Sequence, residues 1–158
     1  SSNQGGLDSI FIANGKVDSF VEANGTVSSI IVGGSALTPS DFFEFEVPRQ
    51  TSSISETATG DVSQGTVTYA QTAIIILNQL QASTRDQLKL IFEATNMVVV
   101  AKDNNGKYFS IGLSRGAYGA TATSTSGVAY QDRSGYEITI EGIEPSPMFE
   151  IDSGIVEA

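Results

Sequence analysis

Along much of this chain apolar and polar residues alternate with a period of two, the period of a strand rather than a helix. Three early spans, 9–13, 16–22 and 26–32, are strand-like and are separated by Asn14-Gly15 and Asn24-Gly25. Asn-Gly accepts the positive φ values of a type I′ turn, so residues 1–34 are expected to form a strand meander built from a duplicated hairpin. The echo between 13–20 and 23–30 stops after two copies, too few for a solenoid.

The pattern then changes. Residues 33–40 are rich in turn formers. From Phe43 the alternation resumes, with Phe43, Phe45 and Val47 on one face and Glu44 and Glu46 on the other. Pro48 weakens pairing there. Residues 48–64 hold few large apolar side chains, chiefly Ile54 and Val62, and are expected to be a long exposed loop or the tip of a long hairpin. In 65–80, Val67, Tyr69, Gln71, Ala73, Ile75 and Leu77 share one face, and Thr66, Thr68, Ala70, Thr72, Ile74 and Ile76 the other. The β-branched enrichment predicts a long strand, covered on both sides only at its isoleucine end.

One helix is expected, around 84–95. Ser83 is a suitable N-cap, Asp86 favours the first turn, and Leu88, Ile91 and Phe92 share a face. Residues 97–101 predict a short apolar strand, 103–106 a turn, and 108–113 a returning strand. The small, Thr-rich span 116–127 is expected to be a loop, with 128–130 pairing with 136–140. Pro145 and Pro147 interrupt regular structure, and 145–158 is expected to be an irregular tail ordered by a neighbour. The whole of 1–158 is expected to be one mainly β domain with a single helix.

Composition narrows the chemistry. Hydrophobic residues make up 40% of the 158, but charged residues only 16%, and the net charge is −10. There is no Cys and no His. Thiolate nucleophiles, Cys-based metal sites, imidazole ligands and a Ser-His-Asp triad are therefore excluded. The eight basic residues are scattered, unlike the clusters that neutralise phosphates in a nucleic-acid binder. No stretch approaches the ~20 apolar residues of a membrane-spanning helix.

Four candidate chemistries weaken on inspection. Asp103-Asn104-Asn105-Gly106 has calcium-loop residues, but its Gly is fourth rather than sixth and Ser114 stands where the loop's Glu belongs, so a hairpin turn is expected. Glu44 and Glu46 lie roughly 6.5–7 Å apart along a strand, a separation glycosidases use. With no Trp to stack a sugar, a solvated strand face is the expectation. The Ser/Thr clusters at 51–59 and 121–126 fit soluble loops. Gly112, Gly116 and Gly119 match no phosphate-cradling motif. No catalytic, cofactor or metal residue is expected. Long strand edges suit a chain that pairs with copies of itself.

A resemblance runs through the last ~90 residues. It is carried by Gly-Thr-Val-Thr-Tyr-Ala-Gln at 65–71, Ala-Ser-Thr-Arg-Asp-Gln-Leu-Lys-Leu at 82–90 and Asp-Asn-Asn-Gly-Lys-Tyr at 103–108. It continues in Asp-Arg-Ser-Gly-Tyr-Glu-Ile at 132–138 and Gly-Ile-Glu-Pro at 142–145. In this order the segments resemble virion structural proteins of tailed phages and prophages, particularly of Bacteroidetes hosts, and the element order is similar to the tail-tube family. That resemblance implies two packed antiparallel sheets, a sandwich or barrel, with one flanking helix. It also implies hexameric rings that stack into a tube, with 42–47 and 65–77 as inner strands around a DNA channel. Residues 48–64 would reach the adjacent ring.

On this basis Glu44 and Glu46 are expected to face the lumen. Thr51, Ser52, Ser53, Ile54, Ser55, Glu56 and Thr57, with Thr66, Thr68, Ala70 and Thr72, are expected to contact neighbouring subunits. An acidic, hydroxyl-lined channel repels phosphate and lets DNA pass as cargo, whereas a basic one would hold it by counterion release. The implied partners are copies of the chain and other virion proteins. The implied location is the virion, after synthesis in the bacterial host cytoplasm. Two alternatives stay open: another virion component, such as a capsid decoration, neck or baseplate protein, or a surface β-sandwich binding module.

Overall fold

The computed structural model describes residues 7–46, 53–61, 63, 65–77, 89, 93, 96–125 and 135–157. Its strands are β1 (Leu7–Asn14), β2 (Val17–Ala23), β3 (Thr26–Val32), β4 (Ser35–Ala36), β5 (Phe43–Glu46), β6 (Ser53–Asp61), β7 (Thr66–Leu77), β8 (Met97–Asp103), β9 (Tyr108–Ile111), β10 (Tyr118–Thr125), β11 (Gly135–Glu144) and β12 (Glu150–Ile151). The fold is mainly β, in two sheets that are antiparallel throughout except for one short parallel pairing. A larger sheet runs β2-β3-β12-β9-β8-β1-β5, with β4 beside β3, and a four-stranded sheet runs β10-β11-β7-β6.

Burial decides which strands are central. In β8 every residue from Met97 to Ala101 is at most 2% exposed. Met97, Val99 and Ala101 join Ile10 and Ile12 of β1, Ala73 and Ile75 of β7, and Ile138 and Ile140 of β11 in one cluster, so the two sheets share a core. Val98 and Val100 point the other way, into a second cluster with Phe11, Ala13, Val27, Ile30, Ile151, Ile155 and Val156. An unbroken apolar run belongs in a strand covered on both faces, and each such side chain stabilises the fold by roughly 1.5–3 kcal/mol. A register shift between Leu7 and Ser9 lets Leu7 and Ile10, an odd number of residues apart, face the same cluster.

This explains the first departure from expectation. β2 and β3 form a hairpin, and Asn24 and Gly25 at its turn both have positive φ, 57° and 86°. β1 and β2 do not pair. β1 lies between β8 and β5, because its doubly buried side chains require a central position, whereas β2 is mostly exposed. At the link, Gly15 has φ 124° and donates its N–H to the Asn96 carbonyl, and a Cβ there would lie 2.7 Å from Val32 Cγ1.

Two expected loops are strands. Residues 53–61, placed within the 48–64 loop, form β6 and pair with β7 from Ser53↔Ile74 to Asp61↔Thr66, the long-hairpin alternative. Residues 118–125, within the expected 116–127 loop, form the sheet-edge strand β10. The expected irregular tail is also corrected. β12 lies between β3 and β9, and Ile151, Ile155 and Val156 are buried in the chain's own second cluster. Asp103-Asn104-Asn105-Gly106 is the β8–β9 turn, with Asp103 Oδ1 accepting the N–H groups of Asn105 and Lys107 at 2.9 Å each. Of the expected helix at 84–95, Lys89 and Glu93 are described. Both are helical, with Lys89 Nζ 4.0 Å from Glu93 Oε2. The rest of that span and 128–130 lie outside the described residues.

Candidate functional site

β5 is one of the two edge strands of the larger sheet among the described residues, and β1 fixes its faces. Glu44 pairs with Phe11 and Glu46 with Ser9, so the two glutamates occupy register positions on one face, as the alternation predicts. Glu44 is exposed, and its carboxylate accepts a 3.1 Å hydrogen bond from the Ser9 hydroxyl. Phe43, on the opposite face, is 43% exposed and lines a cleft of about 420 Å³ with Asn14, Val32, Leu37 and Asp41.

The β6–β7 hairpin holds most of the expected contact residues. Ser53, Ser55, Thr57, Thr66, Thr68, Ala70 and Thr72 share its outer face by register, while Ile54, Glu56 and Ala58 lie on the inner face. At its base the inner face is core: Gln71, Ala73 and Ile75 are buried. Towards the tip this ends. Ala58, Gly60 and Val67 are exposed on the inner face, Val67 by 48%, while Thr57, Thr59 and Thr66 are exposed on the outer. The distal half is thus exposed on both faces, and β6 has no outer neighbour among the described residues. Ile54, by its register opposite Ala73, is partly buried against the chain's own core. Thr51 and Ser52 lie outside the described residues.

Under the hairpin base lies a polar cluster that the sequence did not single out. Gln71 is 1% exposed; its amide donates to Glu56 Oε2 at 3.0 Å and to the Ser146 carbonyl at 3.2 Å, and its Oε1 accepts the Gly112 N–H at 2.9 Å. Glu56 also accepts the Met148 N–H at 2.8 Å, so its carboxylate serves an internal contact. Glu144, 2% exposed, accepts from Ser114 N at 3.0 Å, Ser114 Oγ at 2.6 Å and Arg115 N at 2.8 Å. Such satisfaction is what a buried carboxylate requires. No buried side-chain polar atom among the described residues is left without a partner, so the cluster fixes geometry. The legible signal was Gln71, the one amide on the otherwise largely apolar inner face of β7.

A second cluster holds the C-terminal segment. The Tyr108 hydroxyl donates to Glu157 Oε2, and Lys102 Nζ lies 3.3 Å from the same oxygen and 5.5 Å from the Tyr108 ring centre. The Tyr108 hydrogen bond, helped by Lys102 and partly opposed by burial, holds the Glu157 carboxyl below the usual range. The bond to Glu157 raises Lys102, and burial, followed by the same bond, raises Tyr108.

Among the described residues no group of three or more Asp or Glu side chains is placed to hold a metal ion, and no helix is long and apolar enough to cross a membrane. No protein-family model, curated protein or solved structure matches this chain.

Proposed function

We propose that this chain is a non-catalytic structural protein of a tailed-phage virion, self-assembling into stacked rings that form a tube for DNA. The observation that carries this reading is the β6–β7 hairpin, whose tip is exposed on both faces and whose β6 edge has no partner among the described residues. A two-stranded ribbon is marginal alone in water, and an open edge invites another strand. Pairing with a neighbouring copy satisfies both, and repetition around a closed ring removes the edges.

Charge supports the same role. The chain carries −10, and Glu44 and Glu46 stand together on the edge strand of the larger sheet. A lumen lined this way repels phosphate, which suits passage rather than binding. The rings are hexameric in this proposal, and the partners are other copies and neighbouring virion proteins. The protein is made in the bacterial host cytoplasm and ends in the tail.

The test is a hairpin-edge variant, Thr57→Lys with Thr59→Lys, compared with the native chain in negative-stain images at high concentration. Rings and tubes from the native chain, lost in a variant that keeps its thermal unfolding midpoint, are the expected outcome. Equal assembly of both, or of neither, overturns the role given to the hairpin.

A further inference from the structure

We propose that β6 of one copy pairs antiparallel with β10 of the next, setting Thr57-Ala58-Thr59 opposite Thr121-Ala122-Thr123. This inference rests on the proposed assembly and names the strand that receives the hairpin edge.

The two sheets treat their edges differently. At the ends of the larger sheet, β2 carries Asp18, Glu22 and two register shifts against β3. β5 has only four residues, two of them Glu44 and Glu46, and Pro48 follows. Charge, irregularity, shortness and proline all keep an edge strand from pairing with another chain. The ends of the smaller sheet are β6 and β10, and neither has an outer neighbour among the described residues. β6 holds nine residues in one continuous register against β7, and β10 holds eight. Neither contains Lys, Arg or Pro, and β10 contains no charged residue. The register shift in β10 lies between Gly119 and Thr121, which leaves Thr121 to Thr125 regular. In β6 the Glu56 carboxylate is already taken by Gln71 and the Met148 N–H.

Strand direction fits these two edges to each other. Three antiparallel pairings join β10 to β11, β7 and β6, so β6 and β10 run in opposite directions. Copies related by rotation about an axis along the strands therefore bring β6 against β10 antiparallel, with the same sheet face outward. The faces must match, because a one-residue slip turns every side chain over. Thr57 and Thr59 hold outer positions on β6. Thr121 and Thr123 pair with Thr139 and Glu137, which alternate with the buried Ile138 and Ile140, so they too hold outer positions. Aligning the two Thr-Ala-Thr runs sets outer threonine against outer threonine, a favourable cross-strand pair, and Ala58 against Ala122 inside. Pairing β6 with a second β6 would instead double the charges of Glu56 and Asp61 at one contact and leave both β10 edges open.

The chain has no native cysteine, so an engineered disulfide reports the contact. Thr57→Cys, Thr123→Cys and the double variant are concentrated, imaged by negative stain and oxidised. Within one copy the two positions lie three strand spacings apart, roughly 14 Å, beyond the reach of a disulfide. Every link therefore joins two copies. The double variant is expected to give a ladder on a non-reducing gel, and each single variant a monomer band. A dimer from either single variant sets like edges together and overturns the pairing. Rings without a ladder overturn the pairing and leave the assembly standing. A ladder without rings supports the pairing and counts against the closed ring. Neither ladder nor rings overturns both.

A second measurement needs no substitution. Amide hydrogen exchange of the native chain, compared between dilute and concentrated protein, is expected to slow over 53–61 and 118–125 and to stay unchanged over 17–23. Slowing in one of the two edges alone, or in neither, overturns the pairing.

Discussion

Glu144 Oε1 accepts both the backbone N–H and the hydroxyl of Ser114, at 3.0 and 2.6 Å, tying the end of β11 to the turn between β9 and β10. Removing the carboxylate deprives the Ser114 N–H and hydroxyl and the Arg115 N–H of their acceptor. Glu144→Ala is expected to lower unfolding stability by about 2–4 kcal/mol, in line with charged hydrogen bonds lost in a buried site. Glu144→Gln should recover part of this. Urea denaturation of the three proteins checks both.

Two glycines with opposite surroundings give opposite expectations. A Cβ on Gly142 would lie 2.5 Å from Gly112 Cα and 2.8 Å from its N, backbone that cannot step aside cheaply. Gly142→Ala is expected to destabilise by ~1–3 kcal/mol through overpacking. A Cβ on Gly60 would meet only Val67 Cγ2, at 3.9 Å. Gly60→Ala is expected to stabilise by ~0.4–1 kcal/mol by restricting the unfolded chain. Thermal unfolding midpoints should move down for the first and up for the second.

The Glu157 clamp predicts a pH window. The folded carboxyl titrates lower than the unfolded one, so its contribution is present above the ordinary carboxylate range and is lost as pH falls through the folded value. Lys102 and Tyr108 titrate higher when folded, so their contributions are complete below their ordinary ranges and are lost as pH rises through the folded values. The stability gap between the native chain and Glu157→Gln should therefore be widest near neutrality and close towards strong acid. Denaturation at a series of pH values measures it, and a gap unchanged in acid would count against the clamp.

Reversing the acidic edge tests the lumen. Glu44→Lys with Glu46→Lys should leave tubes able to form but make them retain added duplex DNA at low salt, with retention falling steeply as salt rises. Co-sedimentation of DNA with tubes reads this. Equal DNA retention by native and variant tubes would place these side chains away from the channel.

What was legible in the sequence follows burial. The apolar runs 97–101 and 9–13 lie in doubly covered strands, whereas in β7 the inner face is buried at Gln71, Ala73 and Ile75 while Thr72 and Ile74 on the other face are half-buried. The distal part of β6 and the start of β7 lie where both faces meet solvent, and such a strand leaves no apolar alternation to read. The two Asn-Gly pairs look alike, yet only the second closes a hairpin, because neighbours of the first strand claim both of its edges. The polar cluster around Gln71 and Glu144 joins residues from 15 to 92 positions apart, which no local pattern contains.

The central claim is self-assembly, and light scattering of the native chain over a concentration series tests it most directly. The account predicts a mass that rises with concentration from monomer to rings and then to tubes. A stable monomer at every concentration, with no assembly factor required, would contradict it.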